Sequence, residues 1–108
     1  MSDFSMEQMQ EMQRRMLDRY KHTWEPLSPE SGRNHVLWMI SEIGEVIDII
    51  KKRGDARIMD DPAVRTHFIE EMVDVMMFYN DVMLCYGITP QELKDTYVRK
   101  FERNLERW

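Results

Sequence analysis

The sequence predicts an all-α domain, a small four-helix bundle that oligomerises through helix packing. Apolar residues recur at three- and four-residue steps instead of alternating. The helix formers Met, Glu, Arg and Leu are abundant. The few glycines and prolines fall at apparent boundaries, apart from Gly44.

Local signals place each helix. The first spans about residues 5–22, with Met9, Met12, Met16 and Tyr20 as its apolar stripe. The tract 24–32 contains two prolines and a glycine and reads as a loop. A second helix covers 34–53 and stops at Gly54. Segment 54–61 reads as another loop. Asp60-Asp61-Pro62 is an N-cap with proline at the first helical position. The third helix runs from there to about Tyr86, before Gly87. Residues 60–67 are less apolar than the rest, which allows a break near Thr66. Thr89-Pro90-Gln91-Glu92 is a capping box that opens a fourth helix striped by Leu93, Tyr97, Phe101 and Leu105.

With 108 residues, the chain has the size of one domain. Its net charge of −5 argues against a surface for a nucleic-acid polymer, which needs a basic patch. A small phosphorylated ligand held through a metal is compatible with that charge. Cys85 is the one cysteine, so no internal disulfide forms and a reduced, cytoplasmic setting is expected. Leu84 and Tyr86 beside it indicate a packed thiol. No signal peptide is read at the N-terminus, and no apolar run approaches the roughly 20 residues of a membrane span.

Two acidic pairs carry the chemistry. Glu42 and Glu45 sit in Ser-Glu-Ile-Gly-Glu-Val, and Glu71 and Asp74 in Glu-Glu-Met-Val-Asp-Val. Each pair is spaced i, i+3, so its members project from one side of a helix, one turn apart. On the second helix Val36, Ile40, Ile43, Ile47 and Ile50 share one side, while His35, Trp38, Glu42, Glu45 and Ile49 share the adjoining one. On the third, Ile69, Met72, Met76 and Met83 lie beside a face of Glu71, Asp74, Phe78 and Val82. A solvated acidic face would have polar neighbours. Carboxylates converging among apolar groups repel one another unless a cation neutralises them. Hard oxygen ligands favour Mg²⁺, Mn²⁺ or Ca²⁺. A di-iron site would need Glu-x-x-His on two helices, and no glutamate here is followed by histidine three residues on. Glu70 and Asp48 lie out of register and read as solvated.

Glu-x-x-Glu, a 25-residue spacer and Glu-x-x-Asp on paired helices resemble the MazG-like all-α nucleoside triphosphate pyrophosphohydrolases. The tract Asn34-His-Val-Leu-Trp-Met-Ile-Ser-Glu-Ile-Gly-Glu-Val resembles their second helix, Gly44 included. Tyr97-Val-Arg-Lys-Phe-Glu-Arg-Asn104 resembles their C-terminal Lys…Asn segment, and the similarity spans about residues 15–107. The resemblance implies a single MazG-like domain over 1–108, organised as dimers or tetramers. It implies Mg²⁺-dependent cleavage of a nucleoside triphosphate between the α- and β-phosphates, with Mn²⁺ as a substitute. Glu42, Glu45, Glu71 and Asp74 would be metal ligands, one of them, such as Glu42, orienting the attacking water. Lys100 and Asn104 would meet the phosphates, and Asn34, His35 and Trp38 would line the base pocket. Plainer roles stay open: Trp38 as core, His35 as a structural or capping residue, Lys100 as a solvated cation suited to the end of its helix. Arg14 and Arg15 read as surface, and His22 and His67 have no evident partner. A non-catalytic helical interaction module with a structural metal site is the alternative for the whole chain. An oligomer follows independently from the apolar excess on the second and third helices.

Overall fold

The computed structural model describes residues 3–107. It contains α1 (Met6–Tyr20), α2 (Gly32–Arg53), α3 (Asp55–Asp60), α4 (Pro62–Cys85) and α5 (Pro90–Arg107), with a 3₁₀ turn at Pro29–Ser31 leading into α2. The described residues contain no strand. The protein is all-α, with four main helices packed together and one short one between them.

The caps read from sequence form. Asp61 accepts hydrogen bonds from the Ala63 and Val64 amides at 3.0 and 3.4 Å, ahead of Pro62. Thr89 and Glu92 bond reciprocally, each side chain to the other's backbone N–H, at 3.1 and 3.0 Å. A second capping box, Ser5 with Gln8, starts α1.

Three expectations need correction. Segment 54–61 is not a loop, since Asp55–Asp60 is helical. Ile58 is the cause: it is buried beside Ile49 and Val64, with Phe68 packed against the cluster. Six residues are too few for a periodicity to announce such a helix. Gly54 makes the break before it at φ 86° and ψ 157°, a backbone region in which only glycine is unstrained. Next, α4 is continuous through Thr66, because Val64 and Phe68 pack on the same cluster from either side of it. Finally, α2 begins at Gly32 rather than at Asn34. The Tyr86 ring lies where a Cβ on residue 32 would stand, so glycine lets the chain approach closely enough to start the helix there.

The central pair is α2 and α4, which run antiparallel. His35 meets Cys85 at one end, Trp38 meets Phe78 next, and Ile49 meets Val64 at the other. Helix α3 closes the Ile49–Val64 end. Helix α1 lies on α4, where Gln13 donates to Asp81 at 2.7 Å. Helix α5 packs on α1 and on no other helix, joined by a Lys94–Glu7 ion pair.

The expected stripes are only partly covered. On α1 the buried residues are Gln10 and Gln13, while Met12, Met16 and Tyr20 remain exposed. Gln13 turns inward because Asp81 offers an acceptor there. No residue of α5 is buried, and its Tyr97, Phe101 and Leu105 face outward. Ile40, Ile43 and Ile47 of α2 and Ile69, Met72 and Met76 of α4 are exposed as well. The radius of gyration, 16.3 Å, exceeds the ~13 Å of a compact chain of about 100 residues. Among the described residues no helix is long and apolar enough to cross a membrane.

Candidate functional site

The two acidic pairs meet in the seam between α2 and α4. Glu42, Glu71 and Asp74 each place a carboxylate oxygen so that the three lie within 4.8 Å of one another. All three residues are half-buried. Glu45 is exposed and outside this trio. Residues three apart differ by about 60° around a helix. On α4 the pair straddles the line of contact, so both members reach inward. On α2 Glu42 lies on that line and Glu45 is turned off it.

Electrostatics register the crowding. Burial, then the negative charges of Asp74, Glu71 and Glu45, and a hydrogen bond with Glu71 hold the Glu42 carboxyl above the usual glutamate range. Glu71 also faces His67, whose Nε2 lies 3.4 Å from its Oε1. His67 thus has a partner, and its position four residues before Glu71 was a readable sign of it.

A cavity of about 400 Å³ adjoins the trio, with Asp74 in its wall. This is within the size range of small-molecule sites. Trp24, Trp38 and Phe78 supply its aromatic surface. Trp38 stands edge-on to Phe78, with ring centroids 6.4 Å apart, and edge-on to His35 at 5.0 Å. Trp24 is held by stacking on Tyr20 at 4.7 Å.

The polar lining is fixed by specific bonds. His35 is buried, and its Nδ1 lies 2.9 Å from the Ser31 carbonyl oxygen. That oxygen only accepts, so Nδ1 is assigned a proton. The Cys85 sulfur sits 3.6 Å from the same nitrogen. Cys85 is buried, and burial pushes its thiol above the usual range, so it packs and does not attack. Asp81 takes the Gln13 amide, and burial raises its carboxyl against the lowering effects of Gln13 and His35. Glu25 also lines the cavity and accepts from Asn34 Nδ2 at 3.1 Å.

Of the residues singled out in the sequence, His35 and Trp38 line the cavity. Asn34 is not in its wall and acts instead by holding Glu25. Lys100 and Asn104 lie on α5, which touches neither α2 nor α4, so one chain does not gather them with the acids. The chain leaves α4 through a left-handed Gly87, at φ 65°, and α5 then packs on α1. Gln13, Trp24, Glu25 and Asp81 were missed. Asp81 follows Asp74 by seven residues, which places both on one helix face; Gln13 was hidden inside a methionine-rich stripe. A second hollow, of about 440 Å³, runs along α5 between Thr96, Arg99, Glu102 and Arg103. It has no aromatic wall and lies apart from the acids. No family model, curated protein or solved structure matches the chain.

The raised Glu42 carboxyl links stability to pH. A group bound more tightly when protonated stabilises the fold below its ordinary range, and that contribution fades as pH rises through its elevated folded value. Asp81 acts in the same sense. The metal-free protein should lose stability as pH rises through and beyond the ordinary carboxylate range. Glu42→Gln should flatten that loss and raise the melting temperature at neutral pH by a few degrees. Thermal melts in chelator across this range check it; an unchanged pH slope in the variant would show that Glu42 is not crowded.

Proposed function

We propose that this chain is a Mg²⁺-dependent nucleoside triphosphate pyrophosphohydrolase, cleaving between the α- and β-phosphates to a nucleoside monophosphate and pyrophosphate. One observation carries the reading: Asp74 belongs both to the converging carboxylates and to an aromatic-walled cavity. A metal-held phosphate chain and a stacked base need that adjacency. The resemblance of the two acidic motifs to the MazG-like enzymes supports the same reaction.

The donor set fits a hard cation. Three carboxylates within 4.8 Å offer oxygen ligands alone, and their mutual repulsion is relieved by positive charge. Mg²⁺, or Mn²⁺ in its place, supplies phosphate charge neutralisation and a more acidic water when bound. Glu71 and Asp74 serve as ligands, with Glu71 oriented by His67. Burial and the neighbouring charges hold the Glu42 carboxyl above the usual glutamate range, which suits it to orient water and take up its proton. Glu45, exposed one turn on, adds negative charge and is free to join the ligand set. Trp38 and Phe78 hold the base side of the substrate beside Asp74. Positioning and electrostatics supply most of the rate enhancement in such a site. A reducing, cytoplasmic setting suits the lone buried Cys85.

Pyrophosphate release from a panel of ribo- and deoxynucleoside triphosphates with Mg²⁺ tests the reaction. Turnover should depend on the metal, and Glu71→Gln should lower kcat by about 100-fold or more while the far-ultraviolet circular dichroism is unchanged. Retention of full activity by that variant would remove Glu71 from the site. Binding of Mg²⁺ with no pyrophosphate from any nucleotide would favour the non-catalytic interaction module instead.

The second part of the proposal is a homodimer or tetramer. Outward-facing Ile40, Ile43 and Ile47 adjoin Ile69, Met72 and Met76 on the paired helices, leaving an apolar face that a second copy of the chain would cover. In such an assembly, α5 of one copy is the route by which Lys100 and Asn104 meet phosphates bound to another. Sedimentation at micromolar concentration should show a multiple of the 13.2 kDa chain. A single species at the chain mass would contradict it.

A further inference from the structure

We propose that the cavity beside the acidic trio selects nucleobases that carry an exocyclic amine, and that Asp81 is the residue that reads it. The inference rests on the pyrophosphohydrolase reading and concerns the base end of the same site.

The argument comes from the direction of the hydrogen bonds already made. Asp81 lines the cavity and has one oxygen, Oδ1, occupied by Gln13 Nε2 at 2.7 Å. Its second oxygen has no partner among the described residues and is an acceptor. His35 spends Nδ1–H on the Ser31 carbonyl. Glu25 is a carboxylate, held in the wall by Asn34. Two nearby donors are directed away from a ligand. Thr23 gives its hydroxyl hydrogen to the Tyr20 carbonyl at 3.1 Å, and one N–H of the Gln13 amide is on Asp81. The two carboxylates of the lining, Asp81 and Glu25, are acceptors, and the second Asp81 oxygen is open to a donor on a ligand.

A ligand matched to that lining must bring donors. Cytosine and adenine offer an exocyclic amine, and guanine offers an amine beside a ring N–H. Uracil and thymine have one ring N–H flanked by two carbonyl oxygens. Turned toward Asp81, at least one carbonyl would face a carboxylate, an unpaired acceptor against an acceptor in a partly closed site. Discrimination of this kind is strong, since the wrong ligand leaves polar groups unpaired, whereas aromatic walls accept any planar base. The aromatic faces of Trp38 and Phe78 therefore supply affinity for the base, and Asp81 supplies the choice. Gln13 is a positioning residue: its amide fixes the carboxylate of Asp81 from α1.

The test uses the full chain in two arms. In the first, quenching of tryptophan fluorescence reports binding of CMP, AMP, GMP and UMP, which cannot release pyrophosphate. The amino-bearing monophosphates should bind about 10- to 100-fold more tightly than UMP. In the second, kcat/KM for pyrophosphate release is compared for CTP, ATP, GTP and UTP with Mg²⁺, and the preference should appear mainly in KM. Asp81→Asn puts a donor amide at the reading position, so it should narrow or invert the preference, with UTP gaining and the amino-bearing substrates losing. Equal binding of all four monophosphates, tighter binding of UMP, or no binding of any would overturn the inference. So would an Asp81→Asn variant with an unaltered preference. Selective monophosphate binding with no pyrophosphate from any triphosphate would uphold the selectivity and overturn the hydrolase reading. Hydrolysis of all four triphosphates with equal KM would do the reverse.

Discussion

Three carboxylates held within 4.8 Å in the seam between α2 and α4 are the constraint on which the rest of the structure depends. Like charges at that distance in a half-buried setting push the helices apart. Packing at both ends of the seam opposes this. Ile49, Ile58, Val64 and Phe68 clamp one end, and Ser31, His35 and Cys85 the other. The short helix α3 makes sense in that light, because it delivers Ile58 to the clamp. The close approach of Gly32 beneath Tyr86 does the same at the opposite end. Between the clamps the acids are left facing each other, and the proposed divalent cation would relieve their repulsion.

The same arrangement inverts the usual amphipathic logic. On α2 and α4 the acid-bearing faces turn inward, and the more uniformly apolar faces, Ile40 and Ile43 on one helix and Ile69 and Met72 on the other, turn out. A single chain cannot cover both its acidic seam and these faces with two flanking helices, one of which, α5, touches only α1. The proposed association of copies would resolve the conflict without disturbing the seam.

The helical class, the caps at Asp61 and Thr89 and the acidic pairs were legible because each rests on a short-range rule: periodicity, a side chain bonding its own helix end, or residues one turn apart. Helix α3 was not legible, since one buried isoleucine and not a pattern makes it. The trio was legible as a set of four and became three once the rotation of α2 about its axis was known, and a sequence does not carry that rotation. Asp81 and Gln13 were the hardest to read, because their pairing joins residues 68 positions apart on different helices. His35 and Trp38 were found because they share a helix face with Glu42. Lys100 and Asn104 lie on α5, which the turn at Gly87 sends to α1 and not to the acid-bearing helices.

The central claim is that the crowded carboxylates form a cation site. Melting temperature as a function of Mg²⁺ concentration, measured for the chelator-treated protein and for the variant Asp74→Asn, addresses it most directly. A site that binds only the folded state raises stability with the logarithm of ligand concentration once the site is filled. The account predicts a saturable onset followed by that steady rise in the native protein, and little response in the variant. Identical Mg²⁺ curves for the two proteins, or no rise in either, would contradict it.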